Sequence, residues 1–111
     1  MLSVLRQLFA RQEQILLSSI VLFEWRRGHR AAKELSDQEE LFPSQLAVPF
    51  GAEEALVAAE IYRRMRRAPN REIDIAIAAS ALVRGAYLWT LNRGDFADIP
   101  GVKLLNPKVI G

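Results

Sequence analysis

At 111 residues and 12.5 kDa, half of them hydrophobic, the chain is sized for a single domain over residues 1–111 with one core. It has no cysteine, which excludes disulfides and thiolate metal sites. A formal charge of +2 and a pI of about 9.4 are compatible with a polyanionic partner without requiring one. No run approaches the roughly 18 apolar residues of a membrane span, and the start lacks a signal-peptide pattern, so a soluble cytoplasmic protein with no membrane partner is expected.

Residues 2–11 carry Leu2, Leu5, Leu8 and Phe9 at helical spacing. Ile15, Leu16 and Leu17 form an apolar run too short for a helix and read as a buried strand. Ser18 or Ser19 then caps a helix over 20–28 that Gly28 ends. Inside it stands Glu24, between Phe23 and Trp25 and after Ile20, Val21 and Leu22. A carboxylate facing a dry core would be costly. Glu24 therefore either lies at the helix edge, in solvent or paired with an arginine such as Arg27, or meets other acids from later in the chain. Trp25 reads as packing rather than base stacking. Residues 29–40 form a polar surface helix in which Asp37, Glu39 and Glu40 make a solvated face, and His29 has no second ligand near it. Residues 46–48 read as a short strand confined by Pro43 and Pro49.

Residues 52–67 make the strongest helix signal, with Ala55, Leu56, Ala59, Ile61, Tyr62 and Met65 as its apolar positions. Glu53, Glu54 and Glu60 come early and Arg63, Arg64, Arg66 and Arg67 late, an order that complements the helix dipole. Contact with a nucleic acid explains the same arginines, and the Arg26, Arg27 and Arg30 cluster, equally well. Asn70 is placed to cap the next helix, 73–84, which Gly85 stops; Asp74 in its first turn is favoured by the dipole whatever its function. Ala76, Ala78, Ala79 and Ala81 predict close approach to a sheet. Residues 86–89 read as a buried strand, 92–98 as a turn bearing Asp95 and Asp98, and 102–105 as a last short strand. This alternation predicts a three-layer α/β/α domain with a short, mostly parallel sheet.

In such a domain the carboxyl ends of strands and the amino ends of neighbouring helices open onto one crevice. Asp74 and Asp95, 21 positions apart, can meet there, and Glu24 can join them. Carboxylate oxygens suit hard divalent cations such as magnesium or manganese. A cation held this way orients water and neutralises charge on a phosphodiester under attack. Without it the acids would repel one another and raise a pKa. Thr90 and Asn92 fit hydrogen-bonding support rather than nucleophilic roles. The chain has no internal repeat and no glycine-rich phosphate loop.

The run Asp74-Ile75-Ala76-Ile77-Ala78-Ala79-Ser80-Ala81, followed by Leu88-Trp89-Thr90-Leu91-Asn92-Arg93-Gly94-Asp95-Phe96 and by Ile99-Pro100-Gly101-Val102 up to Asn106-Pro107, resembles the carboxyl half of a PIN domain. The similarity is closest to the VapC-type toxin ribonucleases of bacterial toxin–antitoxin pairs. Upstream, Leu17 to Glu24 and Arg26-Arg27-Gly28 resemble the family's second strand and the helix that carries its glutamate. The resemblance implies a Mg2+- or Mn2+-dependent endoribonuclease that acts on RNA, forms a homodimer and is inhibited by a cognate antitoxin. It places the second, third and fourth acids of the family's metal site on Glu24, Asp74 and Asp95, matches Thr90 and Asn92, and gives Asp98 no role beyond solvation. The family also opens with a central strand ending in an aspartate, and no such segment stands in this sequence. The expectation is thus a PIN-like domain truncated at its N-terminus, with a metal site short of one acid and activity impaired accordingly. The alternatives are a catalytically inactive PIN-like module that binds antitoxin or RNA, and a small α/β structural protein.

Overall fold

The computed structural model describes residues 15–90 and 93–105. The helix expected over 2–11, together with Leu91, Asn92, Asn106 and Pro107, lies outside the described residues. Among the described residues there are four α-helices, here α1 (Ser19–Arg26), α2 (Ala32–Leu41), α3 (Ala52–Arg64) and α4 (Glu72–Val83), with 3-10 turns at Ser44–Leu46 and Arg93–Asp95.

Helix α1 begins where Ser18 Oγ accepts from the backbone N–H of Ile20 at 3.0 Å and of Val21 at 3.5 Å. That cap satisfies donors the first turn leaves open and contributes about 1 kcal/mol. Ile20 and Val21 face the core, whereas Phe23 faces out. Helix α2 buries no residue. It is held to α1 by Arg26, which donates to Gln38 at 3.1 Å and to Glu39 at 3.0 Å.

Helix α4 is the centre of the packing. Ile75, Ile77, Ala78, Ala79 and Ser80 are all buried, so α4 shows almost no polar stripe. Such a helix is enclosed on several sides rather than laid on one. Helix α3 is its main neighbour and α1 a lesser one. Ala78 and Ala79 are fully covered (0% exposed), and their lack of bulk lets the neighbouring elements come close. Ile61 from α3, Ala68 after it, and Phe96 and Ile99 from beyond the 3-10 turn complete the buried cluster, with Val57, Leu82, Leu88, Val102 and Leu104 packed against it. Gly85 ends α4 with φ +61°, a left-handed conformation that glycine takes without penalty.

Several expectations are refined or corrected. The tight approach predicted by the alanines of α4 is made chiefly to helix α3, while Leu88 and Leu104 of one bridge also pack against the cluster that holds Ala78 and Ala79. In place of strands at 15–17 and 46–48 there is one parallel bridge, Ser18 with Val48, in which Val48 N–H donates to Leu17 at 2.8 Å and Ser19 N–H to Val48 at 2.9 Å. Leu16 is 44% exposed, and Leu46 sits in the 3-10 turn that follows Pro43. Likewise 86–89 and 102–105 meet in a single parallel bridge, Leu88 with Leu104, and Tyr87 is 65% exposed. Helix α3 stops at Arg64, not Arg67, because Met65 is extended, and Arg71 rather than Asn70 stands at the cap position of α4.

Candidate functional site

The two ends of α4 carry the polar chemistry of the molecule. At its carboxyl end Arg84 donates to Glu54 at 3.0 Å, to the Ser80 carbonyl at 3.1 Å and to the Pro49 carbonyl at 3.4 Å. The other Glu54 oxygen accepts from Gly51 N–H at 3.1 Å. Glu54 is buried (6% exposed), yet these donors and its own backbone N–H hold its carboxyl below the ordinary range, against the opposing effect of burial. It is a satisfied structural acid. The sequence showed Glu54 only as one of three early acids, because its partner lies 30 positions away on the next helix.

The amino end of α4 is different. Asp74 is half-buried in the first turn, and no hydrogen bond or ion pair reaches its carboxylate from the described residues. Burial pushes its carboxyl up, the charge of Asp95 pushes the same way, and Arg71 pulls it partly back. Asp95 ends the 3-10 turn Arg93–Asp95, exposed, between an Arg93 bonded to the Leu105 carbonyl at 2.6 Å and a buried Phe96. Asp95 thus acts electrostatically on Asp74.

Glu24 joins them only in part. It lines, with Asn70, Arg71, Glu72, Ile73 and Asp74, an open cleft of about 390 Å³. Its carboxylate accepts from Arg27 at 3.4 Å, so the edge-of-helix pairing expected for Glu24 is present on the wall of the same cleft. Among the described residues no three acidic, histidine or cysteine groups converge closely enough to hold a metal. Asp74 and Asp95 offer carboxylate oxygens of the kind a hard divalent cation takes, with no hydrogen bond or ion pair to them among the described residues; Asp74 is half-buried, Asp95 is exposed, and the charge of Asp95 raises the Asp74 carboxyl.

Thr90 is half-buried beyond the Leu88 bridge and is hydrogen-bonded or otherwise engaged, while Asn92 lies outside the described residues. Asp98 is exposed, as expected of a solvated acid, and also receives both arms of the Arg71 guanidinium at 2.7 Å each, a pairing that holds its carboxyl low. That pair spans 27 positions and leaves no periodic trace in the sequence. His29 is exposed, and Trp25 is half-buried under the Arg30 guanidinium at 4.3 Å from the ring centroid, a packing role. Most arginines of the two clusters are engaged: Arg26 with Glu39, Arg27 with Glu24, Arg63 and Arg64 with Glu60, Arg71 with Asp98. Arg66 and Arg67 are exposed, stand in the sequence shortly before Asn70 of the cleft wall, and make no ion pair at contact distance among the described residues.

A family comparison matches residues 3–102 to the PIN domain, so the chain belongs to the PIN domain family. PIN domains are generally nucleases built on an α/β/α fold, and they generally use divalent metal ions such as Mg2+ or Mn2+. Searches of curated proteins and of solved structures each found no match. No helix among the described residues is long and apolar enough to cross a membrane.

Proposed function

We propose that this PIN-domain protein is a divalent-metal-dependent endoribonuclease of the VapC toxin type, acting in the cytoplasm. The observation that carries the proposal is Asp74: a partly buried carboxylate with no hydrogen bond or ion pair among the described residues, destabilised as a charged group by burial and by Asp95. A functional site keeps such a group where folding alone would neutralise it. Residues 1–111 form one PIN-like domain, a reading that the two parallel bridges support as remnants of a short sheet.

In this reading Asp74 and Asp95 hold magnesium or manganese directly. When bound, the ion supplies charge stabilisation at the phosphodiester and an activated water. Glu24 lines the same cleft from α1 and would serve as the third acid toward the ion in place of its bond to Arg27. Thr90 and Asn92 would support the acids by hydrogen bonding. Arg66 and Arg67, exposed and shortly before Asn70 in the chain, contact RNA phosphates, which engage available guanidinium groups. A second copy of the chain and a cognate antitoxin complete the partner set.

The second reading is a PIN-like module that binds RNA or antitoxin without cutting. It is favoured by two observations: Glu24 is engaged with Arg27, and no three acids converge among the described residues. Incubating the protein with a panel of structured RNAs across a manganese titration separates the two. The nuclease reading predicts metal-dependent cleavage that Asp74→Asn abolishes. RNA retention with no cleavage at any metal concentration supports the binding module, and cleavage that survives Asp74→Asn contradicts the assigned site.

A further inference from the structure

The Asp95 carboxylate has no hydrogen bond from the described residues, so its place beside Asp74 depends on how its backbone is held. Three contacts hold that backbone. Phe96 and Ile99 are buried (5% and 3% exposed) and anchor the segment from below, and Phe96 N–H donates to the Arg93 carbonyl at 3.1 Å. The third is lateral: Arg71 Nη2 donates to the carbonyl of Asp95 itself. The same guanidinium gives its two parallel bonds to Asp98 at 2.7 Å each, and Nη1 also reaches the Arg67 carbonyl at 3.5 Å. Arg71 stands at the cap position of α4, three residues before Asp74, and its side chain is only 20% exposed. One planar group thus ties the start of α4, which carries Asp74, to both ends of the segment that carries Asp95.

We infer that Arg71, locked by Asp98, is a positioning residue that sets the spacing of the Asp95 and Asp74 carboxylates. The inference rests on the reading of those acids as a metal site. A guanidinium does this where an ammonium does not. Two parallel bonds to one carboxylate fix the plane of the fork, and the second N–H of Nη2 is then aimed at the Asp95 carbonyl. A lysine at position 71 keeps a positive charge near both acids but loses that fixed plane. Screening of the acids and positioning of the acids are thereby separable.

The test compares the parent, Arg71→Lys and Asp98→Asn in manganese chloride titrations followed by the electron paramagnetic resonance of free manganese. Amide hydrogen exchange is measured on the same samples. Both variants are expected to bind manganese about tenfold more weakly, the low end of what lost support of a ligand costs. The amides of Phe96 and Ile99 exchange about tenfold faster, while those of Ala78 and Ala79 in α4 are unchanged, which reports local loosening and not unfolding. If Arg71→Lys and Asp98→Asn both bind manganese within about twofold of the parent, the positioning role is overturned while the metal site stands. If the parent itself binds no manganese, the site reading fails and the inference goes with it.

Discussion

Helix α4 has an acid at each end, and the two acids are treated in opposite ways. Glu54, from α3, meets the carboxyl end of α4 fully supplied: a guanidinium on one oxygen, a backbone N–H on the other, and a carboxyl held low. Asp74, at the amino end, has Asp95 for company, and its carboxyl is pushed up. The nearest cation, Arg71, gives its fork to Asp98 instead. Glu54 is the more buried of the two. Burial alone therefore does not separate a structural acid from a candidate functional one. Whether the carboxylate has its donors does.

The comparison predicts opposite outcomes for substitutions at the two ends. The largest effect is Asp74→Asn on RNA cleavage: loss of more than about a hundredfold, beyond what support residues typically cost. In metal-free protein the same substitution raises the melting temperature, because it removes a charge that burial and Asp95 disfavour. At the other end, Arg84→Met leaves the buried Glu54 carboxylate without its guanidinium and lowers the melting temperature by several degrees, with cleavage per folded molecule unchanged. A melting temperature that falls with Asp74→Asn and is untouched by Arg84→Met would erase the distinction. In the packing between the two ends, Ile75→Ala costs about 3 kcal/mol in denaturant unfolding, as a cavity in a closed core does.

Smaller effects sharpen the amino end. Changing Arg66 and Arg67 to glutamine weakens RNA binding and makes the slope of log affinity against log salt shallower by about one per contact. An unchanged slope would remove both from the RNA path. The pH dependence of stability in metal-free protein separates the two aspartates around Arg71. The Asp74 carboxyl is raised, so the folded state holds its proton more tightly than the unfolded chain does. The stability Asp74 lends is full below the unfolded value, about 3.9, and is lost as pH rises through its raised folded value. The Asp98 carboxyl is lowered by Arg71, so its contribution is present above about 3.9 and is lost as pH falls through the lowered value. Urea unfolding from pH 3 to pH 7 of Asp74→Asn and Asp98→Asn against the parent therefore gives differences of opposite sign.

The helices were legible in the sequence because their signals are local. The Ser18 cap, the apolar spacing of 52–64, the alanine-rich run and the Gly85 stop all act within a turn or two. The strands were less so: 15–17 and 86–89 are apolar runs of the right length, but pairing depends on a partner far along the chain, and each reduces to one bridge. Asp74 and Asp95 were legible as a pair from the topology of α/β crevices and from the family resemblance. The pairing of Glu24 with Arg27 was one of two readings, and only the packing of α1 chose it. The Arg71–Asp98 fork and the Glu54–Arg84 pair were not legible, since neither 27 nor 30 positions of separation leaves a pattern in a single sequence. Asp98 in particular read as solvated because nothing near it in the chain hints that Arg71 arrives from the start of α4.

Thermal unfolding of the parent and of Asp74→Asn, each with and without manganese, tests the central claim most directly. A ligand bound by the folded state alone raises its melting temperature. The account predicts a crossing: Asp74→Asn melts higher than the parent in the absence of metal, and the parent melts higher once manganese is added. Manganese that shifts both proteins equally, or neither, would contradict a metal site built on Asp74 and Asp95.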